Sequence, residues 1–341
     1  MTLEPPRRKR ATVHDVAMEA GLSRGTVSRV VNGAPYVSAH ARDAIEAAIN
    51  RVGYVPNNAA RSLVRQRSQA VGFVVHEPHS VFLDDPNIGG ILLGANSTLS
   101  LADYQMVCLV VDTDRDTDRV ARYFNGGFVD GVIIVSAREN DPITRVVERL
   151  NLPAAFVGHP PDLSTAPWVG IDNRGSAREI VQRLADTGRT RIGMLAAALD
   201  RDSGSDRLAG YRDALGSRYD ESMVESVPLY SYSAGVEGMR ALLQRKPDLD
   251  GLFAASDAVA AGAMELLRAV GRRIPEDIGV VGFDDSAWAL RTQPALSTVH
   301  QPASGLGTGA AEAVLAQVRG EHSGGGGGIL LPTPIVWRGS A

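Results

Sequence analysis

From residue 70 onward, short apolar runs alternate with helical patterns. The runs are AVGFVV, QMVCLVV, DGVIIVS, PAAFVG, RIGMLAA, GLFAAS and IGVVGFDD, and helical segments such as 176–187, 234–245 and 258–270 lie between them. Continuous apolar strands separated by helices are typical of parallel sheets covered on both faces. The strands are too many for one small sheet, and the pattern restarts near residues 168–172. We therefore expect two doubly wound α/β lobes.

Charge is divided unevenly along the chain. Of 35 Lys+Arg and 39 Asp+Glu, residues 1–69 hold 11 and 5, which leaves 24 and 34 for residues 70–341. A composition that is 44% hydrophobic and 22% charged excludes a disordered chain. A basic segment attached to an acidic body indicates a nucleic-acid-binding region. Residues 1–10, which contain RRKR, are interpreted as a basic flexible tail.

Residues 11–55 carry the pattern of three short amphipathic helices. Thr12 is a natural cap for the first helix, which Gly21 would end, and Ser23 is a natural cap for a second helix with a stripe of valines. The third helix is expected over residues 38–52. Two short helices joined by a turn that contains glycine form a helix-turn-helix, whose second helix enters the major groove of DNA.

Two arginines lie on the outward face of the second helix. A guanidinium can donate two hydrogen bonds to O6 and N7 of guanine, which is worth about 1–3 kcal/mol of discrimination. We therefore expect Arg24 and Arg29 to read bases.

The stretch from residue 11 to the hinge resembles the headpiece of the lac/gal repressor family, most specifically in TVSRVVNG and GYVPNNAARSL. The resemblance implies an all-α helix-turn-helix headpiece over 11–55, a hinge helix and linker over 56–69, and a periplasmic-binding-protein-like α/β body over 70–341. In that architecture the chain crosses between the lobes three times, and we place the crossings near 168–170, 299 and 320. The expected lobes are an N-lobe of about 70–168 and 299–320, and a C-lobe of about 169–298 and 321–341.

The resemblance also implies DNA contacts for individual residues. Gly25 stands at a base-reading position where many relatives carry a side chain, so base preference at that step would come from a neighbour or from DNA shape. The residues that match phosphate contacts are Thr12, Ser23, Ser28, Asn32 and Ser38. The alternative role for several of these residues is helix capping, and a cap can serve both purposes.

A hinge segment follows the third helix. Pro56 separates it from that helix, and AARSLVRQR is too short to form a stable helix alone. The resemblance implies that Asn57 caps the hinge helix, that Ala60 belongs to it, and that Leu63 wedges into the minor groove, where an inserted leucine must recover the cost of unstacking a base step. The alternative is that Leu63 is a linker leucine packed on the body.

Polar residues follow the carboxyl ends of the predicted strands, where ligands gather in open parallel sheets. The side chains expected to converge on one cleft include His76, Ser136, His159, Ser256 and Asp284.

The resemblance adds Arg207, in RLAGY, as the effector-binding arginine, with Asp284 as the matching aspartate and Tyr232 as the matching aromatic. In this interpretation Arg207 and Asp284 hold neighbouring hydroxyls, and Tyr232 or Trp288 covers an apolar sugar face. Ser256 stands where several sugar-responding relatives have asparagine. By family frequency we expect a repressor of a carbohydrate-utilisation operon that a sugar releases from DNA. The alternative is corepression by a non-sugar metabolite.

An enzyme and an exported sugar receptor are the alternatives considered. The sequence contains neither GxxxxGK[ST] nor GxSxG, and the GLGTG of residues 305–309 lacks dinucleotide-binding spacing. The histidines lack metal-ligand spacing, so no cofactor or metal is expected. An exported receptor would need a signal peptide, whereas MTLEPPRRKRATVHD has no apolar segment after its basic residues.

The sequence thus predicts a cytoplasmic regulator that does not enter the membrane and binds a near-palindromic DNA operator. We expect a homodimer, because no heptad segment follows the last strand, which ends at PIVWRGSA. The single cysteine, Cys108, lies in an apolar run and is expected to be buried.

Overall fold

The computed structural model describes residues 11–31, 36–55, 67–138, 140–159, 166–321 and 327–341. The chain divides into two compact units, Met1–Ser68 and Gln69–Ala341. Within the described ranges, no helix is long and apolar enough to cross a bilayer.

The first unit is built from three helices in the described ranges: α1 (Val13–Ala20), α2 (Arg24–Val31) and α3 (Ala39–Val52). Thr12 and Asp15 form a capping box at the start of α1, and Gly21 ends it in the left-handed conformation, with φ of 64°. The helices pack around a small apolar core that contains Val16, Val27 and Ile45. The predicted order and the approximate bounds of the three helices agree with the structure.

The N-lobe of the second unit contains a parallel sheet. Among the described residues its strands are β1 (Ala70–Val75), β2 (Gln105–Val110), β3 (Gly131–Val135), β4 (Ala154–Val157), β5 (Trp168–Ile171) and β11 (Gly328–Leu331). The spatial order is β11-β5-β4-β3-β1-β2, with β1 between β2 and β3. All strand pairs in this sheet are parallel.

The C-lobe contains a second parallel sheet and a short ribbon. In the described part of the chain its strands are β6 (Ile192–Ala197), β7 (Val224–Val227), β8 (Gly251–Ala254) and β9 (Gly279–Val281), in the order β7-β6-β8-β9. Strands β10 (Thr298–Val299) and β12 (Ile335–Val336) pair antiparallel.

Helices separate the strands of both lobes, as doubly wound sheets require. In the N-lobe they are α4 (His79–Asp84), α5 (Pro86–Leu101), α6 (Asp114–Asn125), α7 (Pro142–Leu150) and α13 (Ala303–Arg319). In the C-lobe they are α8 (Asn173–Asp186), α9 (Asp202–Leu215), α10 (Tyr232–Arg245), α11 (Asp257–Ala269) and α12 (Ala287–Arg291).

The predicted lobe boundaries need correction at two of the three crossings. Val157 of β4 pairs with Val169 of β5, and Val169 also pairs with Ile329 of β11. Residues 169–171 and 328–331 therefore belong to the N-lobe sheet, although the sequence prediction assigned both segments to the C-lobe. The first crossing follows Ile171, and the third follows Leu331.

Cys108 is exposed, so its predicted burial was wrong. It lies on β2, which is the edge strand of the N-lobe sheet in the described part of the chain. An edge strand is covered by a neighbouring strand on one side only, so an apolar run there is less buried than the same run in a central strand.

Glycines allow close helix packing in both lobes. A Cβ on Gly307 of α13 would clash with the carbonyl oxygen of Ile91 on α5, and a Cβ on Gly94 of α5 would clash with that of Ser304. In the C-lobe, Gly262 of α11 lies in the same way against the Tyr232 carbonyl. The GLGTG segment is therefore part of a helix whose glycine meets another backbone, which explains its composition without a nucleotide.

Replacing Gly307 by alanine is expected to lower the free energy of unfolding by at least about 2 kcal/mol, because backbone atoms cannot move aside as a flexible side chain can. The matched control is Gly89→Ala on α5, where a Cβ would meet nothing within 4 Å. That substitution should raise stability by about 0.5–1 kcal/mol through helix propensity. Chemical denaturation of the full chain measures both, and equal shifts for the two variants would contradict the packing argument.

Candidate functional site

The outward face of α2 carries the predicted base-reading residues. Arg24, Gly25 and Arg29 are all exposed, and a Cβ added at Gly25 would meet only Ser23 Oγ, at 3.8 Å. Gly25 and Arg29 are four residues apart and therefore lie on the same side of the helix. The space above Gly25 is open, so the Arg29 side chain can lean across it.

Three predicted phosphate-contacting residues act as helix caps. The Thr12 hydroxyl accepts from the Asp15 N–H at 3.4 Å, Ser23 Oγ accepts from the Thr26 N–H at 3.1 Å, and Ser38 Oγ accepts from the Ala41 N–H at 3.3 Å. Ser28 is half-buried on α2. Asn32, Asn57, Ala60 and Leu63 lie outside the described residues, and their assigned roles stay predictions.

A cleft lies between the two lobes of the body, at the carboxyl ends of the strands. It contains about 700 Å³ of space not occupied by atoms, part of it open to solvent. The polar and charged residues that line it are Glu77, Asp85, Asn87, Ser136, Asn173, Arg201, Asp202, Ser203, Arg207, Tyr230, Asp284 and Gln301.

Arg207 is the centre of this lining and is 4% exposed. Its Nε donates to Asn173 Oδ1 at 2.9 Å, and its Nη1 donates to the Ala255 carbonyl at 2.6 Å. Nη2 donates to Gln301 Oε1 at 3.1 Å, and Nη1 lies 3.4 Å from Asp284 Oδ1. The guanidinium also lies 3.7 Å from the centre of the Phe283 ring. These contacts fix the orientation of the side chain.

A second buried arginine links the lobes. Arg201, at the start of α9, forms an ion pair with Glu77, which follows β1 in the N-lobe, and both side chains are 3% exposed. Asp200 accepts from Arg201 Nε at 3.2 Å and also lies 3.3 Å from Arg138 Nε of the N-lobe. Removing one partner of a buried ion pair leaves an uncompensated charge, so loss of either residue would destabilise this contact between the lobes.

Burial changes the protonation of the acidic lining. Desolvation raises the pKa of Asp85 to about 6, with the Asn87 backbone N–H opposing it and the neighbouring Glu77 charge adding to it. Desolvation also raises the pKa of Asp202 and, well above its ordinary value, the pKa of Asp284, against the opposing charge of Arg207. Asp85 can therefore gain or lose a proton near neutral pH.

The aromatic residue in the cleft is Tyr230, whereas the sequence prediction favoured Tyr232. The Tyr230 hydroxyl lies 3.1 Å from Ser203 Oγ, and its ring centre lies 5.6 Å from the Arg207 guanidinium. Tyr232 lies outside the lining: its hydroxyl donates to Glu265. The ring of Tyr232 stacks on Trp288, with centroids 5.5 Å apart.

The other predicted cleft residues divide into two groups. Ser136 lines the cleft, and Ser256 caps α11 while lining a small adjoining pocket with Asp85 and Asp284. His76 lies outside the lining, with Nδ1 2.7 Å from Asp141 Oδ2. His159 also lies outside it and contributes only its backbone N–H, which donates to Asp202 Oδ2 at 2.5 Å.

Several lining residues were absent from the set predicted from sequence. Asp85 and Asn87 come from the start of α5, Asn173 from the start of α8, and Gln301 from the second segment that joins the lobes. An Asp-Pro dipeptide is a helix-start signal, so Asp85 was recognisable as a cap, but nothing local indicated that its carboxyl faces the cleft. In the described part of the chain, no group of three or more His, Cys, Asp or Glu side chains could hold a metal ion.

Comparisons with known proteins cover both units. The family model for bacterial regulatory proteins of the lacI family matches residues 12–57, and the model for a periplasmic binding protein-like domain matches residues 181–341. The HTH-type transcriptional regulator CelR of Thermobifida fusca is 41% identical over 320 residues, which cover 92% of this chain and 94% of CelR. The chain belongs to the lacI family of bacterial regulatory proteins.

Other relatives and solved structures agree with this lacI-family membership. The ribose operon repressor of Halalkalibacterium halodurans is 30% identical over 310 residues, which cover 90% of each protein. The structure of a CelR–cellobiose complex matches with a TM-score of 0.78 and 37% identity, covering 97% of this chain and 100% of that one. The lac repressor dimer bound to operator and the anti-inducer ONPF matches with a TM-score of 0.86, 26% identity and coverage of 97% and 99%.

Family membership confirms the fold class and the functional class predicted from sequence. This lacI-family chain is a DNA-binding transcription regulator with a helix-turn-helix headpiece and a two-lobed body. Its relatives are regulators and not enzymes, so the enzyme alternative is set aside.

Asp257, next to the cleft, predicts a pH dependence of stability. Its Oδ1 accepts from Thr298 Oγ1 at 2.6 Å, its Oδ2 accepts from the Ser286 N–H at 2.7 Å, and the residue has no exposed surface. Burial raises the pKa of Asp257 from its ordinary 3.8 to about 7. The folded chain therefore holds a proton that the unfolded chain releases, and the resulting stability, complete below pH 3.8, is lost as pH rises through about 7.

We expect Asp257→Asn to reduce the fall in unfolding temperature between about pH 5 and pH 8, because the amide does not titrate and its NH₂ can donate to the Thr298 hydroxyl. Asp186→Asn, which changes an exposed carboxyl on α8, is the matched control and should keep the wild-type slope. Thermal unfolding of the full chains at several pH values measures this. Parallel curves for wild type and Asp257→Asn would contradict the assignment.

Proposed function

We propose that this regulator is a dimeric repressor that binds a near-palindromic operator and is released when a carbohydrate occupies the cleft between its lobes. The observation that carries the effector part is the buried Arg207, whose hydrogen bonds position Asn173, Asp284 and Gln301 around the cleft. Such groups pair with neighbouring hydroxyls. The relation to CelR, solved with cellobiose, and to the lac repressor dimer, solved on its operator, supports the proposal.

The mechanism follows from contacts that join the lobes. Three contacts that join the N-lobe to the C-lobe are Glu77–Arg201, Arg138–Asp200 and the hydrogen bond from the His159 N–H to Asp202. A ligand held by both lobes changes the balance between their relative poses, because it binds one pose more tightly than the other. The change reaches the headpiece through the hinge and linker, residues 56–69, where Asn57, Ala60 and Leu63 are proposed to form the operator-dependent hinge.

Thermodynamic linkage fixes the sign of one measurable consequence. An effector that weakens operator binding must itself bind more weakly to the operator-bound protein, by the same factor. Corepression would reverse both signs together. Equal effector affinity with and without operator would contradict the coupling itself.

The test begins with selection of duplexes bound by the full chain from a random pool. We expect an inverted repeat among the selected sequences, since a twofold dimer presents two equivalent recognition helices. Neutral mono- and disaccharides, cellobiose among them, are then titrated into the complex, and release is followed by fluorescence anisotropy. Selected sequences without an inverted repeat would contradict the operator proposal, and a complex that no carbohydrate affects would contradict the effector proposal.

A further inference from the structure

We infer that the cleft accepts an uncharged, hydroxyl-rich ligand and discriminates against phosphorylated and carboxylated forms of the same sugar. The inference deepens the proposed function and depends on it. It concerns the charge of the effector, which the assignment of a carbohydrate leaves open.

The first observation is the excess of carboxyl groups over cations in the lining. Four carboxyls, from Glu77, Asp85, Asp202 and Asp284, face the same space as the guanidiniums of Arg201 and Arg207. Among these, Glu77 and Asp284 are 2% and 7% exposed. At such burial, water screens charge poorly, so an anionic group brought among these carboxyls meets stronger repulsion than it would at a surface.

The second observation is that both guanidiniums are already engaged. Arg201 is held by Glu77 and Asp200. Arg207 donates hydrogen bonds to Asn173, the Ala255 carbonyl and Gln301, and it lies beside the carboxylate of Asp284. A phosphate or carboxylate would compete with these carboxylates for the same guanidiniums, and a carboxylate that lost its arginine would be buried without a partner.

The third observation concerns what remains available. Asn87, Ser136, Ser203 and Tyr230 line the cleft as neutral donors and acceptors. Apolar side chains of the N-lobe complete the wall: Ile88, Ile91, Val135, Val157 and Leu306. Neutral hydrogen-bonding groups beside an apolar wall match a sugar, which has hydroxyls at its rim and apolar C–H faces.

A cationic ligand fits less well than a neutral one, because the carboxyls have partners. The two oxygens of Asp202 accept N–H groups from His159 and Ser203, and Asp85 accepts the Asn87 N–H. Asp284 lies beside Arg207.

The experiment measures binding of matched ligands to the full-length wild-type chain by titration calorimetry. A panel of neutral sugars, comprising cellobiose, maltose, lactose, sucrose and glucose, identifies the tightest neutral ligand. Its 6-phosphate and its uronic acid are then compared with it at one ionic strength, together with the corresponding amino sugar as a cationic form. We expect both anionic forms to bind at least about 100-fold more weakly than the neutral sugar, and the cationic form to bind more weakly as well.

Each result decides between the proposals. Neutral and anionic forms that bind equally well, or tighter binding of a charged form, would overturn the inference and leave a ligand-responsive regulator standing. A chain that binds no member of either set, while still selecting an operator, would overturn the carbohydrate proposal and the inference with it.

A variant tests whether the pairing of Arg201 causes the discrimination. Glu77→Gln leaves an acceptor for Arg201 but removes the countercharge, so we expect its affinity for the phosphorylated or uronic form to rise at least about tenfold. Glu148→Gln removes the same charge from an exposed position on α7 of the N-lobe and should match wild type. If folded Glu77→Gln keeps the wild-type ratio of neutral-sugar affinity to anionic-sugar affinity, the role assigned to the Glu77–Arg201 pair is overturned. The wild-type ligand panel decides the inference even if Glu77→Gln does not fold.

Discussion

Arg207→Met is expected to weaken effector binding at least about 100-fold while leaving operator binding of the ligand-free protein unchanged. Methionine preserves much of the aliphatic volume and removes the N–H donors that hold Asn173, the Ala255 carbonyl and Gln301 in place. Without the guanidinium, the buried carboxyl of Asp284 loses its neighbouring cation. Asn173, Gln301 and Asp284 are then no longer held in the positions that face the ligand. The operator complex should then resist release at effector concentrations that dissociate the wild-type complex.

The matched control is Arg212→Met on the same helix, five residues further along. Arg212 is exposed and lies 5.2 Å from the centre of the Tyr219 ring, away from the cleft. Calorimetry measures effector affinity, fluorescence anisotropy measures operator affinity, and thermal unfolding reports whether each variant is folded. A folded Arg207→Met chain that binds effector within threefold of wild type would contradict the central role of this arginine.

Part of this cleft was predictable because the geometry of parallel sheets is general. The carboxyl ends of parallel strands meet at one edge, so Ser136 after β3 and Asp284 after β9 could be placed in a shared cleft without any knowledge of side-chain contacts. The helix bounds of the headpiece were predictable for a similar reason. Capping residues such as Thr12 and Ser38 act within three residues of their own position.

Residues that depend on tertiary pairing were not predictable in this way. Strands β5 and β11 have only four residues each, and their membership of the N-lobe sheet depends on mutual pairing across more than 150 positions of sequence. Asp85 and Asp284 line the same space only because the two lobes meet there. A local pattern contains no information on which lobe a short strand joins or which surfaces meet.

The choice between two tyrosines shows how small the deciding difference can be. Ser231 caps α10, so Tyr232 is the first helical residue and turns toward Glu265, whereas Tyr230 precedes the cap and stays at the cleft. The family resemblance pointed to an aromatic in this loop and selected the wrong side of the cap. His76 shows the same limit. Its hydrogen-bond partner, Asp141, lies 65 residues further along the sequence, so no local pattern indicates the pair.

Base reading by the headpiece gives the second large expected effect. Arg29→Ala should lower affinity for the selected operator by about 5- to 150-fold, the equivalent of 1–3 kcal/mol, and relax base preference at one step of each half-site. Arg29 is exposed and lies one helical turn after Gly25. Side chains in a helix point back toward the preceding turn, so the Arg29 side chain leans over Gly25. Because Gly25 leaves that space open, the guanidinium can approach the base edge that a side chain at 25 would otherwise contact.

Arg51→Ala is the control, because it removes the same charge as Arg29→Ala from another part of the headpiece. Arg51 lies near the end of α3, with its Nε 2.7 Å from Oε1 of Glu19 on α1. Loss of a phosphate-contacting or merely basic side chain weakens binding to all duplexes alike and reduces the salt dependence, whereas loss of a base contact acts mainly on the specific site. The deciding quantity is therefore the ratio of operator to random-duplex affinity, measured at two salt concentrations. If Arg29→Ala keeps the wild-type ratio while overall affinity falls, Arg29 contacts the DNA backbone, and the base reading lies with Arg24 or with DNA shape.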